Sequence, residues 1–563
     1  MYLAKIPNRK SKPTYLLRES YRENGKVKTR TRGNVTGLPD DMLDAIRDIL
    51  TGKKMVPVDS AIETVSTLPA GHVRAVLGTM KKLGIKKLLS SRPSRERDLV
   101  MGMMAQRILH PGSKLSAVNT WDASTLAGEL GIEDATVEEL YRALDWLFER
   151  QERIEKALAK RHLKDGGFAL YDMSNSMYTG NACSLARIGK DKEGRHGVRL
   201  VSYGLLTDIK GRPISINVYR GDTADPSTVI EQAEKLRDRF GLDKVVLVGD
   251  RGMLTNTKIE VLKKYPGIGW ISALKSVQIR KLVSVEALQL SLFDQQNLAE
   301  IESADYPGEK LVACYNPLLA EDRSRTREEM LKVCQDGLKR IVREIGRRTK
   351  TPLKASEIGR KVSRVIDRYR MAKHFHIKIE DNLLQWSLNK ESIEKEAALD
   401  GIYIIRTSET GMSSPDIVRS YKKLSRVEQA FRSIKGVNDK VRPIFHRTEN
   451  RVRAHFFLCM LAYYVQWHMK QALSPMLFGD DEIAEAKDTA DPVAKAQPSE
   501  SAKNKKARKR TEDDVPICSF DTLMTILASM AQVKQRIPGT EIVFEQYPIP
   551  TPIQEKAFKL LGV

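Results

Sequence analysis

The sequence predicts an α/β protein with a mixed-sheet core, interrupted by a long insertion and preceded by a helical region. Three observations carry that reading. Short apolar runs with strand character recur over residues 166–275, separated by turn residues or closed by a carboxylate. Residues 60–165 instead repeat apolar side chains at helical spacing, as in Leu140, Leu144 and Leu147. A strand pattern returns at Asp400–Arg406 only after a charge-rich stretch of helix formers.

Residues 1–59 read as a basic β-hairpin arm. Polar and apolar residues alternate around Glu23-Asn24-Gly25-Lys26, and residues 1–32 carry ten Lys or Arg against two Glu. Such an arm suits phosphates, and a solvated hairpin face has the same composition. Residues 60–165 form the expected helical domain, which either binds DNA or simply packs. Residues 166–275 are the first part of the core. Their order is strand (Phe168–Tyr171), two further strands (Val198–Leu206, Ile214–Tyr219), helix, strand (Val245–Val248), helix and strand (Gly269–Leu274). Residues 276–399 are the insertion, and 400–475 the second part of the core, with helices over 414–436 and 448–472. Residues 476–515 hold few large apolar side chains and are expected to be a disordered linker. Residues 516–563 are expected to be a helical tail.

The chain has 563 residues and is 41% hydrophobic, enough for real cores. It carries 95 Lys plus Arg against 72 Asp plus Glu, a net charge of +23. A soluble surface needs charge but not this asymmetry, which points to a polyanionic partner. The five cysteines, Cys183, Cys314, Cys334, Cys459 and Cys518, offer no zinc-type pair and no disulfide framework. The N-terminus is too polar for a signal peptide, and no window holds 18 uninterrupted apolar residues. A cytosolic location without membrane contact is expected. No Gly-rich Lys-Ser/Thr loop is present, so no nucleotide cofactor is expected.

Three carboxylates stand out. Asp172 and Asp250 each follow an apolar strand-like run, where a rigid element can present a metal ligand to solvent. Taken singly, each also fits a turn or cap role. Glu428 is the only acid between Ile417 and Asn438, among Arg419, Lys422, Lys423, Arg426, Arg432 and Lys435. On a straight helix, Tyr421, Leu424, Glu428, Arg432 and Lys435 fall on one stripe. Ion pairing within the helix explains that pattern as well as phosphate and metal binding do. Together, three carboxylates from two strands and a helix match what Mg2+ or Mn2+ needs in phosphodiester chemistry.

Tyr421-x2-Leu424-x3-Glu428-x6-Lys435 resembles the Tyr-Arg-Glu-Lys signature of a group of bacterial insertion-sequence DDE transposases. Asp172 in LYDMS and Asp250 in VGDRGM are similar to that family's first two catalytic aspartates. The resemblance covers roughly residues 166–470. It implies a ribonuclease H-like core with an insertion before the catalytic glutamate. It also implies Asp172, Asp250 and Glu428 as catalytic metal ligands, and cleavage of double-stranded DNA at the element's ends with transfer to target DNA. At least a homodimer on DNA is implied too. Tyr421, Lys422, Lys423, Arg426, Arg432, Lys435 and Arg251 are expected to contact DNA. Trp386, in the insertion, stands where related enzymes stack a base, although a core position is the commoner role for a tryptophan. The family's usual arginine is Leu424 here, so its contact is absent or supplied by Arg419 or Arg432. A DNA-binding derivative without catalysis and a nuclease of the same fold remain alternatives.

Overall fold

The computed structural model describes residues 1–9, 11–53, 62–284, 293–294, 297–348, 350–437, 441–479, 493, 499–511, 513–538 and 540–563. The chain divides into two compact units.

The first unit comprises Met1–Leu68 and Ala531–Ile549. Strands β1 (Tyr2–Ile6), β2 (Thr14–Glu23) and β3 (Lys26–Asn34) form an antiparallel sheet in that order. Asn24 and Gly25 close the β2–β3 hairpin at φ of 50° and 73°. Two successive left-handed residues are what a twist-matched two-residue turn requires, and Asn-Gly supplies them at low cost. The arm is thus larger than a hairpin: it adds β1 and a helix, Asp40–Leu50, with Asp40 and Asp41 at its positive end. Strand β4 (Glu63–Pro69), in the stretch expected to be helical, pairs instead with Ala531–Arg536, and that strand with Val543–Gln546. The alternation of Thr64, Val65, Ser66, Thr67 and Leu68 is a β pattern. The expected helical tail therefore includes two strands.

The second unit, Pro69–Met530 with Pro550–Val563, holds the main core. Its helical part runs from Gly71–Lys82 to Gln151–His162. The sheet that follows uses β5 (Gly167–Met177), β6 (Arg187–Ile188), β7 (Arg199–Asp208), β8 (Pro213–Arg220), β9 (Val245–Val248), β10 (Ile268–Ala273), β11 (Leu298–Ile301), β12 (Lys310–Tyr315) and β15 (Ile402–Thr407). Between β12 and β15 lie two strands of a separate hairpin, β13 (Phe375–Glu380) and β14 (Leu383–Leu388). The order is β11-β12-β15-β10-β9-β5-β7, with β6 and β8 both on the outer edge of β7. β7 runs antiparallel to both β5 and β8, whereas β9 runs parallel to both β5 and β10. The first strand is longer than its apolar run. Met173–Met177 are polar in part yet continue β5, because β7 satisfies their backbone through Met177↔Leu200.

The insertion begins later than its charge pattern implied. β11 and β12 belong to the main sheet, β12 lying antiparallel to β15. What remains outside is Pro317–Arg347, Ala355–Ile366, the β13–β14 hairpin and Lys390–Ala397, with a core of its own. Leu331, Cys334, Leu338, Ile341 and Ile345 form one apolar stripe against Ile358, Val362 and Ile366. Arg327 binds Asp400 through two hydrogen bonds, 3.0 and 2.5 Å, tying this subdomain to the start of β15.

Glu449–Ala472 is apolar on all sides and accordingly buried, packed against Arg95–Leu109, Val137–Phe148 and β8. No helix among the described residues is long and apolar enough to cross a membrane. Of the expected linker, residues 480–492, 494–498 and 512 lie outside the described residues. Glu500–Arg508 form a helix capped by Ser499, so disorder does not extend through this part.

Gly204 of β7 faces Met173, and a Cβ there would stand 2.1 Å from the Tyr171 hydroxyl. Tyr171 is held in place, fully buried, by a 3.0 Å hydrogen bond to Thr228. Gly204→Ala is therefore expected to destabilise the protein by about 1–3 kcal/mol, read as a lowered urea midpoint at unchanged slope.

Candidate active site

The parallel ladder between β5 and β9 pairs Gly167 with Val245 and Leu170 with Val248. Asp172 and Asp250 each lie two residues beyond that last pair. The register thus brings the two acids to corresponding positions past the ladder, Asp172 still within β5 and Asp250 just beyond the end of β9. Asp172 is within β5 rather than at its end, at the point where the partner changes from β9 to β7 alone. Its Oδ1 accepts from the Met173 N–H at 2.7 Å. Burial pushes its pKa up to about 6; Asp250 and Asp225 add to the rise, while Lys192 and the Met173 N–H oppose it.

Asp250 is aimed by the turn that follows it. Oδ1 accepts from the N–H groups of Gly252 and Met253, both at 2.9 Å. The absence of a side chain at Gly252 matters, because a Cβ would stand 3.3 Å from both carboxylate oxygens. One oxygen is committed to the backbone and the other is left for a ligand.

Glu428 comes from a helical stretch that is not one straight rod. Ser414–Lys422 ends at Lys423, Ser425–Arg432 follows, and Ser433–Val437 is wider, π-type helix. At the break, Leu424 and Val427 donate to carbonyls three residues back rather than four. The single stripe inferred from an ideal helix is therefore lost: Tyr421 and Lys435 are half-buried, Leu424 is buried, and Glu428 and Arg432 are exposed. Val427, Ala430 and Phe431 turn inward, Phe431 stacking edge-on to Tyr203 at 5.6 Å, so this helix lies on β5 and β7. Leu424, where the resemblance implies an arginine, is a core residue at 8% exposure.

Tyr421 relates the three acids. Burial pushes its hydroxyl up to about 12. The charges of Asp250, Glu428 and Asp172 all add to that rise, and Arg251 opposes it. Its phenol therefore lies within electrostatic reach of all three carboxylates. No group of three His, Cys, Asp or Glu side chains among the described residues is close enough to hold one metal ion. Asp172 and Asp250 influence each other directly, and Glu428 is linked to them here only through Tyr421.

The expected DNA-contacting residues divide. Arg251, Lys422 and Arg432 are exposed, and Lys423 is half-buried. Arg426 donates to the Ile209 carbonyl in the β7–β8 turn. Lys435 lies 3.8 Å from Glu193, and its burial holds its pKa below the usual lysine range. Trp386 is not at this site. It packs within the insertion, edge-on to Phe375 at 6.0 Å.

Two residues near Asp172 carry no sequence signal. Lys192 donates to the Met173 carbonyl at 2.5 Å and pairs with Asp225 at 2.9 Å. Lys192 comes from a turn and Asp225 from the start of a short 3-10 helix, and only the fold brings them to β5.

A family model described as a transposase DDE domain matches residues 184–465, half of the chain. The chain belongs to the DDE transposase family. A second model, the N-terminal domain of IS1634 family transposases, matches residues 3–56 and marks this as an insertion-sequence transposase. Asp250 and Glu428 of the transposase fall inside the first match, and Asp172 precedes it. No curated protein matches. Among solved structures, the cryo-EM structure of the piggyBac transposase synaptic complex with hairpin DNA is similar at 9% identity, over 70% of this chain and 72% of that chain, with a TM-score of 0.34.

The electrostatic arrangement has a direct check. Asp250→Asn removes a neighbouring negative charge and should lower the Asp172 pKa, whereas Lys192→Met removes a cation and should raise it. Carboxyl 13C titration by NMR reads both; unchanged values in the two variants would mean that burial alone sets the shift.

Proposed function

We propose that the transposase binds the ends of its element, hydrolyses a phosphodiester there to leave a 3′-hydroxyl, and joins that hydroxyl to target DNA. The catalytic residues in this reading are Asp172, Asp250 and Glu428. The observation that carries it is the side-by-side placement of Asp172 and Asp250 at the end of the β5–β9 ladder. The order β8-β7-β5-β9-β10, three antiparallel strands then two parallel ones, supports a ribonuclease H-like core.

The donor set suits Mg2+ or Mn2+. It is all oxygen, two carboxylates are adjacent, and Asp250 has one oxygen outside the turn. Asp172 and Asp250 would hold the first ion and Glu428 would complete the set from its helix. When bound, the ions supply activation of the attacking oxygen and charge stabilisation at the leaving one. The chain's own residues do the rest. The backbone turn after Asp250 fixes its carboxylate before substrate arrives. Tyr421 keeps its proton at neutral pH, so its Oη can donate to a phosphate oxygen beside the carboxylates. Arg251, Lys422, Lys423, Arg432 and Lys435 offer cations to the DNA backbone, and binding should weaken steeply with salt. Arg426 is read as a further DNA contact through the face not engaged with Ile209, and Trp386 as a base-stacking position in the insertion. Two ends must meet for joining, so a homodimer on DNA is part of the proposal.

Asp172→Ala, Asp250→Ala and Glu428→Ala should each abolish metal-dependent cleavage while leaving DNA affinity within about twofold. Cleavage that survives any one of them removes that residue from the set. Strand-joined products separate a transposase from a nuclease of the same fold.

Activity should also depend on pH in a defined direction. Asp172 has a pKa of about 6 against an ordinary 3.8, so below about pH 6 it carries a proton and cannot hold a cation. Calorimetric Mn2+ binding should release a proton near pH 5.5 and none near pH 8. Equal proton release at both would assign the coupling elsewhere.

A further inference from the structure

Two adjoining cavities lie beside Tyr421. The first, about 160 Å3, is bounded by Arg251, Tyr403 and Tyr421, and the second, about 360 Å3, by Arg280, Lys373 and Lys395. Ser276, Arg323 and Leu399 line both, so they make one groove from Arg251, the residue after Asp250, to the base of the insertion.

The charges along it are distributed unevenly. Its acids are engaged: Glu391 pairs with Lys395, Glu396 with Lys373 at 2.9 Å, and Asp400 with Arg327 at 2.5 Å. Its arginines are not. Arg251 comes from the loop after β9, Arg280 from the helix Ser276–Ser284, and Arg323 from Pro317–Arg347. None of the three pairs with a carboxylate among the described residues. Arg280 and Arg323 touch only the carbonyls of Ser276 and Leu399, each at 3.4 Å, and all three side chains are exposed. An exposed guanidinium presents a planar fork of donors that matches the oxygens of a phosphate. Three such forks from three elements, in file along one groove, suit a ligand with regularly repeated negative charges.

We propose that this groove takes a single DNA strand leaving the carboxylate site, with Arg251, Arg280 and Arg323 each holding a backbone phosphate. The inference rests on the reading of Asp172, Asp250 and Glu428 as the cutting site, since that is where the strand begins. It makes Arg280 and Arg323 positioning residues for the separated strand and gives the insertion a share in substrate binding. Tyr403 and Tyr421 wall the first part of the groove, where bases of any sequence can lie against a ring.

The test uses the full chain in EDTA, so that catalysis plays no part. The probes are a labelled forked DNA, duplex with one single-stranded arm, and the same sequence as blunt duplex. Arg280→Ala/Arg323→Ala should bind the fork about tenfold more weakly than the unaltered chain, and its plot of log K against log salt should be shallower by about 1.4, at roughly 0.7 per phosphate for a single strand. Blunt duplex should bind as before, and Arg280→Lys/Arg323→Lys should restore the salt slope. An unchanged fork affinity and slope would overturn the proposal, and so would an equal loss on blunt duplex, which would place these arginines on a duplex face. Absence of metal-dependent cleavage by the unaltered protein, with the fork result intact, would instead overturn the catalytic reading and leave the groove standing.

Discussion

Only four residue pairs join β5 to β9, and the candidate site follows from their register. A parallel ladder fixes which residues of two strands stand level, and one step of slip would turn one acid to the opposite face. That register is well specified. Val245–Val248 are all buried, and Ala169, Leu170 and Tyr171 opposite are buried too. β7 then holds the rest of β5 from the other side, so Asp172 sits just past the overlap of the two ladders, paired with Leu205 of β7. The Glu428 helix depends on the same strands, since Val427, Ala430 and Phe431 pack inward upon them.

Electrostatics at the site show a basic shell already occupied in part by the chain's own acids and carbonyls. Glu193 takes Lys435 at 3.8 Å and Arg442 at 3.1 Å, Asp225 takes Lys192, and the Ile209 carbonyl takes Arg426. In the proposed reading, substrate phosphates would compete with these partners for the same donors. Leu424 is the opposite case, a position given over to packing, and a guanidinium there would have to be accommodated within the core. The atypical signature is thus a matter of which way the helix presents residue 424, with Arg251, Lys422 and Arg432 among the exposed cations of the expected set.

Much of this was legible from residue order alone. The apolar runs before Asp172 and Asp250 mark buried strands that each lead to an acid, and the parallel pairing of those strands is what only the fold shows. What was not legible has identifiable physical causes. Met173–Met177 lack an apolar pattern because β7, not a hydrophobic face, secures them. β11 and β12 are short, and their pairing with β15 spans many residues, so they were lost within the insertion. The helix break at Lys423–Leu424 has neither Pro nor Gly to announce it, and the π-type turn beyond it moved Lys435 off the ideal stripe. Lys192 and Asp225 reach Asp172 through loop geometry, for which no periodicity exists.

The pairing of β4 with Ala531–Arg536 has a consequence for synthesis. Glu63 and Arg536, 2.7 Å apart across that sheet, are separated by 473 residues. At about 5–20 residues per second on the ribosome, the edge of β4 stays without its partner for roughly 20–90 s. The second unit waits as well, since Gly71–Lys82 packs on Phe520–Ala528 and Pro552–Leu561. Both units are closed by residues beyond 519, so every nascent chain passes through an interval in which its carboxylate-bearing sheet can form while the unit built on β1–β4 is still incomplete.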